Sequence, residues 1–172
     1  KIKNKVFRAI DIARENNVDL ICFPELSFLK EWVNEIENNN YRDMIIIGGS
    51  YYDDEYNVCP IIIDGKCIDP PYMKCYPSPI ENPETTGHGM KSGNILYVLQ
   101  TKCGSFSVLT CIDYTYQSYS VCKYKCNVRN VDFIINPCCD ENISRFQPRC
   151  NLDCRDFEIN IIQVNKANEG ES

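Results

Sequence analysis

The sequence predicts a layered α/β domain, and two features of its pattern carry that prediction. Short apolar runs suited to buried strands alternate with segments whose apolar residues recur at helical spacing, and hairpin signals occur among them. The chain has 172 residues, 44% of them hydrophobic, which is enough for one domain with a hydrophobic core. The mixture of hairpins and crossover helices favours a layered α/β or αββα arrangement, as a single domain over residues 1–172.

The first part of the chain predicts two helices with a buried strand between them. Residues 1–16 combine apolar residues at helical spacing with charged residues in between, which indicates an amphipathic helix. The run 18–23 is short, apolar and closed by Pro24, as is typical of a buried strand. Glu25 is therefore expected just beyond a strand end, and a second helix is predicted over 26–38.

The middle of the chain predicts strands, a hairpin and one long loop. Residues 43–52 and 57–63 are rich in strand-forming side chains, and Asp64-Gly65 follows as a hairpin turn signal. Residues 70–93 contain prolines and glycines without a sustained period, which predicts a long loop.

The last part of the chain alternates again between strand and helix patterns. The predicted elements are strands at 94–100, 105–110, 131–136 and 159–164, a weak helix after Cys111 and a helix at 143–158. Pro148 has to lie near the start of that last helix, because proline breaks a helix interior.

The charge and hydropathy of the chain argue against some classes of binding partner. The net charge of -6, with scattered Lys and Arg, gives no basic footprint for nucleic acid or an anionic membrane. No apolar run approaches the roughly 20 residues that span a bilayer, and no signal segment is visible. The twelve cysteines accompany strongly apolar strands, which favours reduced thiols in a cytoplasmic protein over a disulfide scaffold.

Three segments place a reactive side chain at or beside a predicted strand end. They are Phe23-Pro-Glu25, Tyr72-Met-Lys74 and Thr110-Cys-Ile-Asp113. In this order they resemble the nitrilase superfamily of carbon–nitrogen hydrolases, whose members carry a Glu, a Lys and a Cys in the same sequence. The resemblance covers nearly the whole chain and includes the Asp64-Gly65 hairpin and the stretch 155–165.

The resemblance implies a fold, a reaction and a site. The fold is an αββα sandwich, from which the first strand and the final strands of the family are missing at the two ends of this chain. The site has Glu25 as general base, Lys74 as oxyanion stabiliser and Cys111 as nucleophile of an amidase-like enzyme. Family members also commonly form homo-oligomers, and their substrates include small amides and N-carbamoyl compounds.

A second carboxylate and one substrate contact are expected from the same resemblance. Many amidase branches use a further carboxylate between the Lys and the Cys, where Glu81 and Glu84 both qualify, with a slight preference for Glu84. Ile112 stands where many members have an aromatic residue, so the substrate contacts differ there.

The chemistry itself needs these residue types. A thiol ordinarily has a pKa near 8.5, so Cys111 requires a base or a cation beside it to become a thiolate. A buried carboxylate at Glu25 can take that proton and return it to the leaving amine. Lys74 would stabilise the oxyanion together with the backbone N–H of Ile112. This chemistry needs no metal and no cofactor.

Other interpretations stay open. Taken singly, Cys111 suits an inert buried thiol, Lys74 a surface lysine and Glu25 a helix N-terminal carboxylate. The rival to an enzyme is a non-catalytic binding or regulatory domain, or an inactive fragment, that retains the fold. The pairs Cys122 and Cys126, Cys138 and Cys139, and Cys150 and Cys154 could instead bind zinc, although their spacing is unfavourable.

Overall fold

The computed structural model describes residues 1–39, 41–82, 89–128 and 131–166. Within these ranges the helices are α1 (Ile2–Glu15), α2 (Lys30–Asn39), α3 (Asp113–Val128) and α4 (Gln147–Phe157), with a 3-10 turn at Ile143–Phe146. The strands of the first part are β1 (Leu20–Cys22), β2 (Ile45–Ile47), β3 (Tyr51–Asp53), β4 (Tyr56–Cys59), β5 (Ile61–Ile63), β6 (Lys66–Cys67) and β7 (Tyr72–Met73). The remaining strands are β8 (Leu99–Thr101), β9 (Gly104–Val108), β10 (Phe133–Cys138) and β11 (Asn160–Asn165).

Two four-stranded mixed sheets form the centre of the molecule. One has the order β1-β2-β5-β6 and the other the order β11-β10-β9-β8, while β3, β4 and β7 form a smaller third sheet. In the first sheet β1 pairs parallel to β2, and in the second β10 pairs parallel to both of its neighbours. Parallel neighbours put their carboxyl ends at one sheet edge, so residues that follow β1, β9 and β10 are positioned to share a site.

Three apolar clusters define the layers. Between the sheets, Ile45 and Ile61 of the first pack with Phe106 and Ile135 of the second. The outer face of the first sheet is covered by α1 and α2, and that of the second by α3 and α4. The order helix, sheet, sheet, helix is the predicted αββα sandwich.

The hairpin signal is confirmed in detail. Ile63 pairs with Lys66 across the turn, and Asp64 and Gly65 both have positive φ, at 52° and 78°. Two successive left-handed residues are what a two-residue turn of type I′ requires, and Asp followed by Gly suits them.

Several element boundaries differ from those predicted. The run 43–52 is divided at Gly48 and Gly49 into β2 and β3, and the run 57–63 is divided at Pro60. The second helix begins at Lys30 rather than 26, because Leu26 adopts a left-handed conformation with φ 57°. The predicted long loop contains the short strand β7, which pairs with β4.

The C-terminal elements agree more closely with expectation. Pro148 lies in the first turn of α4, where its missing N–H costs no helical hydrogen bond.

Among the described residues, no helix is long and apolar enough to cross a membrane. The side chains of eleven cysteines are described, and each of these eleven is a free thiol.

Candidate functional site

Glu25 lies just beyond β1 in a turn that brings the two sheets together. Its backbone N–H donates to the carbonyl of Cys138 at 3.2 Å, and its Oε2 accepts the N–H of Cys139 at 3.2 Å. A side chain at Gly49 could not be accommodated beside this turn, since its Cβ would lie 1.9 Å from the Pro24 carbonyl oxygen. The close approach therefore requires glycine, and it fixes Glu25 at the end of β10.

Lys74 follows β7 and is almost completely buried, at 1% exposure. Its backbone N–H donates to the Asn57 carbonyl at 2.9 Å. Its ammonium donates to Glu25 Oε1 and to Glu81 Oε2, each at 2.7 Å. One buried cation thus joins two buried carboxylates, as a buried charge requires a partner.

Glu81 is held by neutral donors as well as by Lys74. Its Oε1 accepts the Tyr52 hydroxyl at 2.6 Å and the Asn57 amide at 2.8 Å, and its Oε2 accepts the Ser78 N–H at 2.9 Å. The same Asn57 amide donates to Glu25 Oε1 at 3.1 Å. Asn57 therefore bridges the two carboxylates, and it shares Oε1 of Glu25 with Lys74 but binds the other oxygen of Glu81.

The charges in this cluster shift the affinity of its groups for protons. Burial on its own would raise the pKa of Glu81, but the charge of Lys74 and the hydrogen bonds outweigh it and lower the pKa to about 2. Burial opposes the charged form of Lys74, but the charges of Glu25, Cys111 and Glu81 outweigh it and hold its pKa above the ordinary value. Glu81 is therefore ionised and Lys74 protonated near neutral pH.

Cys111 occupies a strained turn between β9 and α3. Its φ is 51°, in the left-handed region that non-glycine residues rarely adopt, and its N–H donates to the Pro137 carbonyl at 2.8 Å. The helix α3 begins two residues later, so the thiol lies near a helix N-terminus. Strain of this kind at a reactive side chain is typical of functional sites.

The thiol of Cys111 is protonated in the resting protein. Burial and the neighbouring charge of Glu25 raise the pKa of Cys111 to about 12, while the charges of Lys74 and Arg145 oppose the rise. A nucleophilic role would therefore require transfer of the proton to a base at the moment of reaction.

Asp113 connects the cysteine turn to the lysine strand. Its buried carboxylate accepts the N–H groups of Cys75 and Tyr76, each at 2.7 Å, and the hydroxyl of Tyr72. Burial raises the pKa of Asp113 to about 6, although these hydrogen bonds oppose the rise. The first turn of α3 is thereby fixed against the residues that flank Lys74.

A cavity of about 430 Å³ opens over this cluster. Glu25, Glu81 and Cys111 contribute to its wall, together with Ile80 and Arg145. Arg145 Nη2 lies 3.9 Å from Cys111 Sγ. The cavity thus gives a small molecule access to the thiol and to both carboxylates.

The structure brings Glu25, Lys74 and Cys111 together, as well as Glu81. Glu84 lies outside the described residues, so the slight preference for it over Glu81 stays a prediction. Ile112 is half-buried and does not contribute to the cavity wall.

Three residues of the site were not assigned a role from the sequence: Asn57, Asp113 and Arg145. Two of them had a signal, since Asn57 is a polar residue inside an apolar strand run and Asp113 belongs to the Cys-Ile-Asp segment. Arg145 had none, because its segment resembles an ordinary amphipathic helix. In the described ranges, no group of three His, Cys, Asp or Glu side chains is arranged to hold a metal ion.

Comparison with known proteins identifies solved structures that have a similar fold. No protein-family model and no curated protein matches the chain. Among solved structures, it is similar to yeast (Saccharomyces cerevisiae) Nit3, a member of branch 10 of the nitrilase superfamily, with a TM-score of 0.67 at 16% identity. That match covers 95% of this chain and 67% of Nit3.

Two further structures give similar matches. A NitN amidase of the nitrilase superfamily, from Nesterenkonia sp. AN1, matches with a TM-score of 0.64 at 17% identity, over 93% of this chain and 69% of the amidase. Glutamine-dependent NAD+ synthetase from Acinetobacter baumannii matches with a TM-score of 0.68 at 18% identity, over 96% of this chain but 35% of the synthetase. In variants of the Nesterenkonia amidase, acrylamide or the acetamide moiety of fluoroacetamide is joined to the active-site cysteine.

The described chain therefore has the αββα fold of the nitrilase superfamily. The resemblance suggested by the three sequence segments is confirmed at the level of fold. The chain spans about two thirds of the length of Nit3 and of the amidase, and about one third of the synthetase.

Proposed function

We propose that the protein hydrolyses a non-peptide carbon–nitrogen bond of a small amide or N-carbamoyl compound through a thioester on Cys111. The observation that carries the proposal is that Cys111 and Glu25 contribute to the wall of one cavity, where Glu25 also binds the Lys74 ammonium. A nucleophile and its base within hydrogen-bond reach, with the base oriented by a third group, are the common arrangement of covalent catalysis. Lys74 is that third group, at 2.7 Å from Glu25.

In the first half-reaction, Glu25 takes the thiol proton as the sulfur attacks the carbonyl carbon. The electron pair of the carbonyl moves to oxygen, where the remaining N–H of the Lys74 ammonium and the backbone N–H of Ile112 stabilise it. An ammonium has three donors, and two of them are committed to Glu25 and Glu81. The tetrahedral intermediate collapses as Glu25 returns the proton to the departing nitrogen, which leaves a thioester and free ammonia or amine.

In the second half-reaction, Glu25 removes a proton from water as the water attacks the thioester. The sulfur leaves and recovers its proton from Glu25, so the site returns to its starting state. Glu81 serves as the second carboxylate in this scheme because it holds Lys74 and, through Asn57, the position of Glu25. Glu84 is the alternative for a carboxylate that touches the substrate directly.

The comparisons support the reaction class through the fold and through the activity of a similar protein. Two of the similar structures are described as nitrilase-superfamily members and one of those as an amidase, which favours an amide substrate here. A homo-oligomer in the cytoplasm, acting on a small molecule, stays part of the proposal.

Ammonia release from a panel of small amides and N-carbamoyl compounds tests the proposal. We expect release by the full-length protein and none by Cys111→Ala. Cys154→Ala is the matched control, because Cys154 is exposed and lies outside the cavity wall. Glu25→Gln should reduce kcat/KM by about 10²- to 10⁴-fold, the typical contribution of a general base.

The rival proposal, a non-catalytic domain, predicts a different result. If the full-length protein releases no ammonia across the panel, and Cys111→Ala is indistinguishable from wild type in every assay, the enzymatic proposal is wrong. Mass spectrometry of the stalled reaction adds a direct test, because a thioester has to appear on the peptide that contains Cys111.

A further inference from the structure

Arg145 is the one basic side chain in the cavity wall, within the part of the chain that the structure describes. Its guanidinium is held from two sides. It forms an ion pair with Asp140, which is only 13% exposed, and its Cζ lies 4.9 Å from the ring centroid of Phe146. These contacts aim Nη2 at Cys111 Sγ, 3.9 Å away.

The charges beneath the cavity do not by themselves favour a thiolate. Lys74 lies between Glu25 and Glu81, so two carboxylates surround one ammonium and the cluster keeps a net negative charge. Two of the three N–H donors of the ammonium are committed to the oxygens of Glu25 and Glu81, each at 2.7 Å. Arg145 adds a second positive charge that faces the sulfur directly, 3.9 Å away, and lowers the pKa of the thiol alongside Lys74.

We propose that Arg145 is a further catalytic residue whose guanidinium stabilises the Cys111 thiolate once its proton has moved to Glu25. The inference rests on the proposed function, since it assigns Arg145 to the same acyl transfer. In this step the S–H bond breaks, an O–H bond forms on Glu25, and the electron pair stays on sulfur until it attacks the carbonyl carbon. The step involves no oxidation or reduction.

Several other charged and titratable groups surround the Cys111 thiol, and their positions can be compared with that of Arg145. Glu25 faces the thiol from the turn after β1 and Lys74 from the end of β7 in the third sheet. Cys138 faces it from β10, and Arg145 from the turn before α4. Cys138 is a neutral thiol because burial raises its pKa. Glu81 lies behind Lys74, while Asp140 and Glu141 line the cavity beyond Arg145.

The test is the rate at which neutral iodoacetamide alkylates Cys111, measured between pH 7 and 9 and resolved by peptide mass spectrometry. Below the pKa of a thiol, the thiolate fraction rises tenfold per pH unit, so a shifted pKa appears as a constant ratio of rates. We expect Arg145→Gln to alkylate about tenfold more slowly than wild type at every pH, the ratio given by a shift of about one unit. Arg145→Lys, which keeps the charge, should recover part of the rate.

Arg155→Gln is the matched control, because it removes the same charge from a side chain that is 73% exposed and outside the cavity wall. It should alkylate at the wild-type rate. The proposal is overturned if Arg145→Gln, folded by circular dichroism, matches the wild-type rate within a factor of two. That result, combined with a raised KM only for carboxylate-bearing amides, would instead identify Arg145 as a substrate anchor.

Alkylation requires no amide substrate, so this test is separate from the one for hydrolysis. A rate ratio near ten without ammonia release would leave Arg145 as a thiolate-stabilising group in a protein that lacks the proposed activity. Ammonia release with an unchanged alkylation rate would leave the hydrolase and remove Arg145 from its mechanism.

Discussion

Lys74 and Lys30 form ion pairs of the same length in two very different regions of the molecule. Each Nζ lies 2.7 Å from a carboxylate oxygen, that of Glu25 for Lys74 and that of Asp53 for Lys30. The side chains of the first pair are 1% and 4% exposed, whereas those of the second are 64% and 36% exposed.

The difference shows that burial, and not distance, decides what an ion pair does. At the surface, water replaces either partner at little cost, and the pair contributes almost nothing. Beneath the cavity no such replacement exists, so removal of one charge leaves its partner buried without compensation. Because the buried charges hold one another in place, the site can keep a base, a cation and a thiol at fixed positions.

Removal of the buried lysine gives the largest effect that we predict. Lys74→Met should lower the free energy of unfolding by about 3–5 kcal/mol, because it leaves Glu25 and Glu81 buried without their cation. Urea denaturation at pH 7 measures this. Lys30→Met is the matched control and should leave the unfolding midpoint unchanged. Equal effects for the two variants would mean that the buried cluster is more hydrated than its exposure indicates.

Asp113 and Glu81 sharpen the comparison, because both are buried carboxylates and only one has a cation. The pKa of Glu81 is lowered to about 2, while that of Asp113 is raised to about 6. Since folded Asp113 binds its proton more tightly than the unfolded chain does, its effect on stability is most favourable below pH 4. The benefit is lost as the pH rises through 6. Glu81 has the opposite sign, and its contribution is lost as the pH falls from about 4.5 towards 2.

The predicted measurement is the unfolding free energy of Asp113→Asn relative to wild type at pH 4 and at pH 7. The amide that this substitution introduces cannot titrate, so the wild-type advantage should shrink by roughly 1–3 kcal/mol between those two values. Asp156→Asn, on the exposed end of α4, should follow the wild-type profile. A wild-type advantage that grows with pH would contradict the raised pKa of Asp113.

The fold could be predicted largely from local pattern. The alternation of apolar runs and helical spacing indicated the element order, and Asp64-Gly65 indicated the hairpin, since each depends on neighbouring residues alone. The ends of the helices and strands were harder to predict from the sequence, because they depend on contacts between residues that are distant in the chain. Gly48 and Gly49 interrupt a strand run where the backbone of Gly49 approaches Pro24, and no local signal reports that contact.

The site could be predicted where the chain order of reactive residues matches a family, and not where it depends on packing. Glu25 and Cys111 follow strands that the pattern identified, whereas Lys74 follows β7, a strand inside the segment predicted to be a loop. Arg145 comes from a turn whose direction is fixed by Asp140 and Phe146, so its contact with Cys111 emerges only in three dimensions.

Removal of the Tyr52 hydroxyl gives the smallest effect on stability that we predict. It tests the comparison between buried and exposed charges at the edge of the buried cluster. It donates to the ionised Glu81 at 2.6 Å, yet its side chain is 48% exposed, so water can reach the bond from one side. Tyr52→Phe should therefore cost about 0.5–1.5 kcal/mol, well below the loss for Lys74→Met. It should also raise the pKa of Glu81, so that the acid loss of stability below pH 4.5 becomes smaller and is complete at a higher pH than in wild type.

Tyr97→Phe is the matched control, since the Tyr97 hydroxyl donates to the Pro70 carbonyl at the same 2.6 Å from an exposed position. A bond to a neutral acceptor is weaker than a bond to a carboxylate, so urea denaturation should show a smaller loss for Tyr97→Phe. If the two phenylalanine variants lose the same amount of stability as each other at pH 7, and again at pH 4, the charge on Glu81 does not strengthen the hydrogen bond from Tyr52. The boundary of the buried cluster would then lie at Glu81, with Tyr52 outside it.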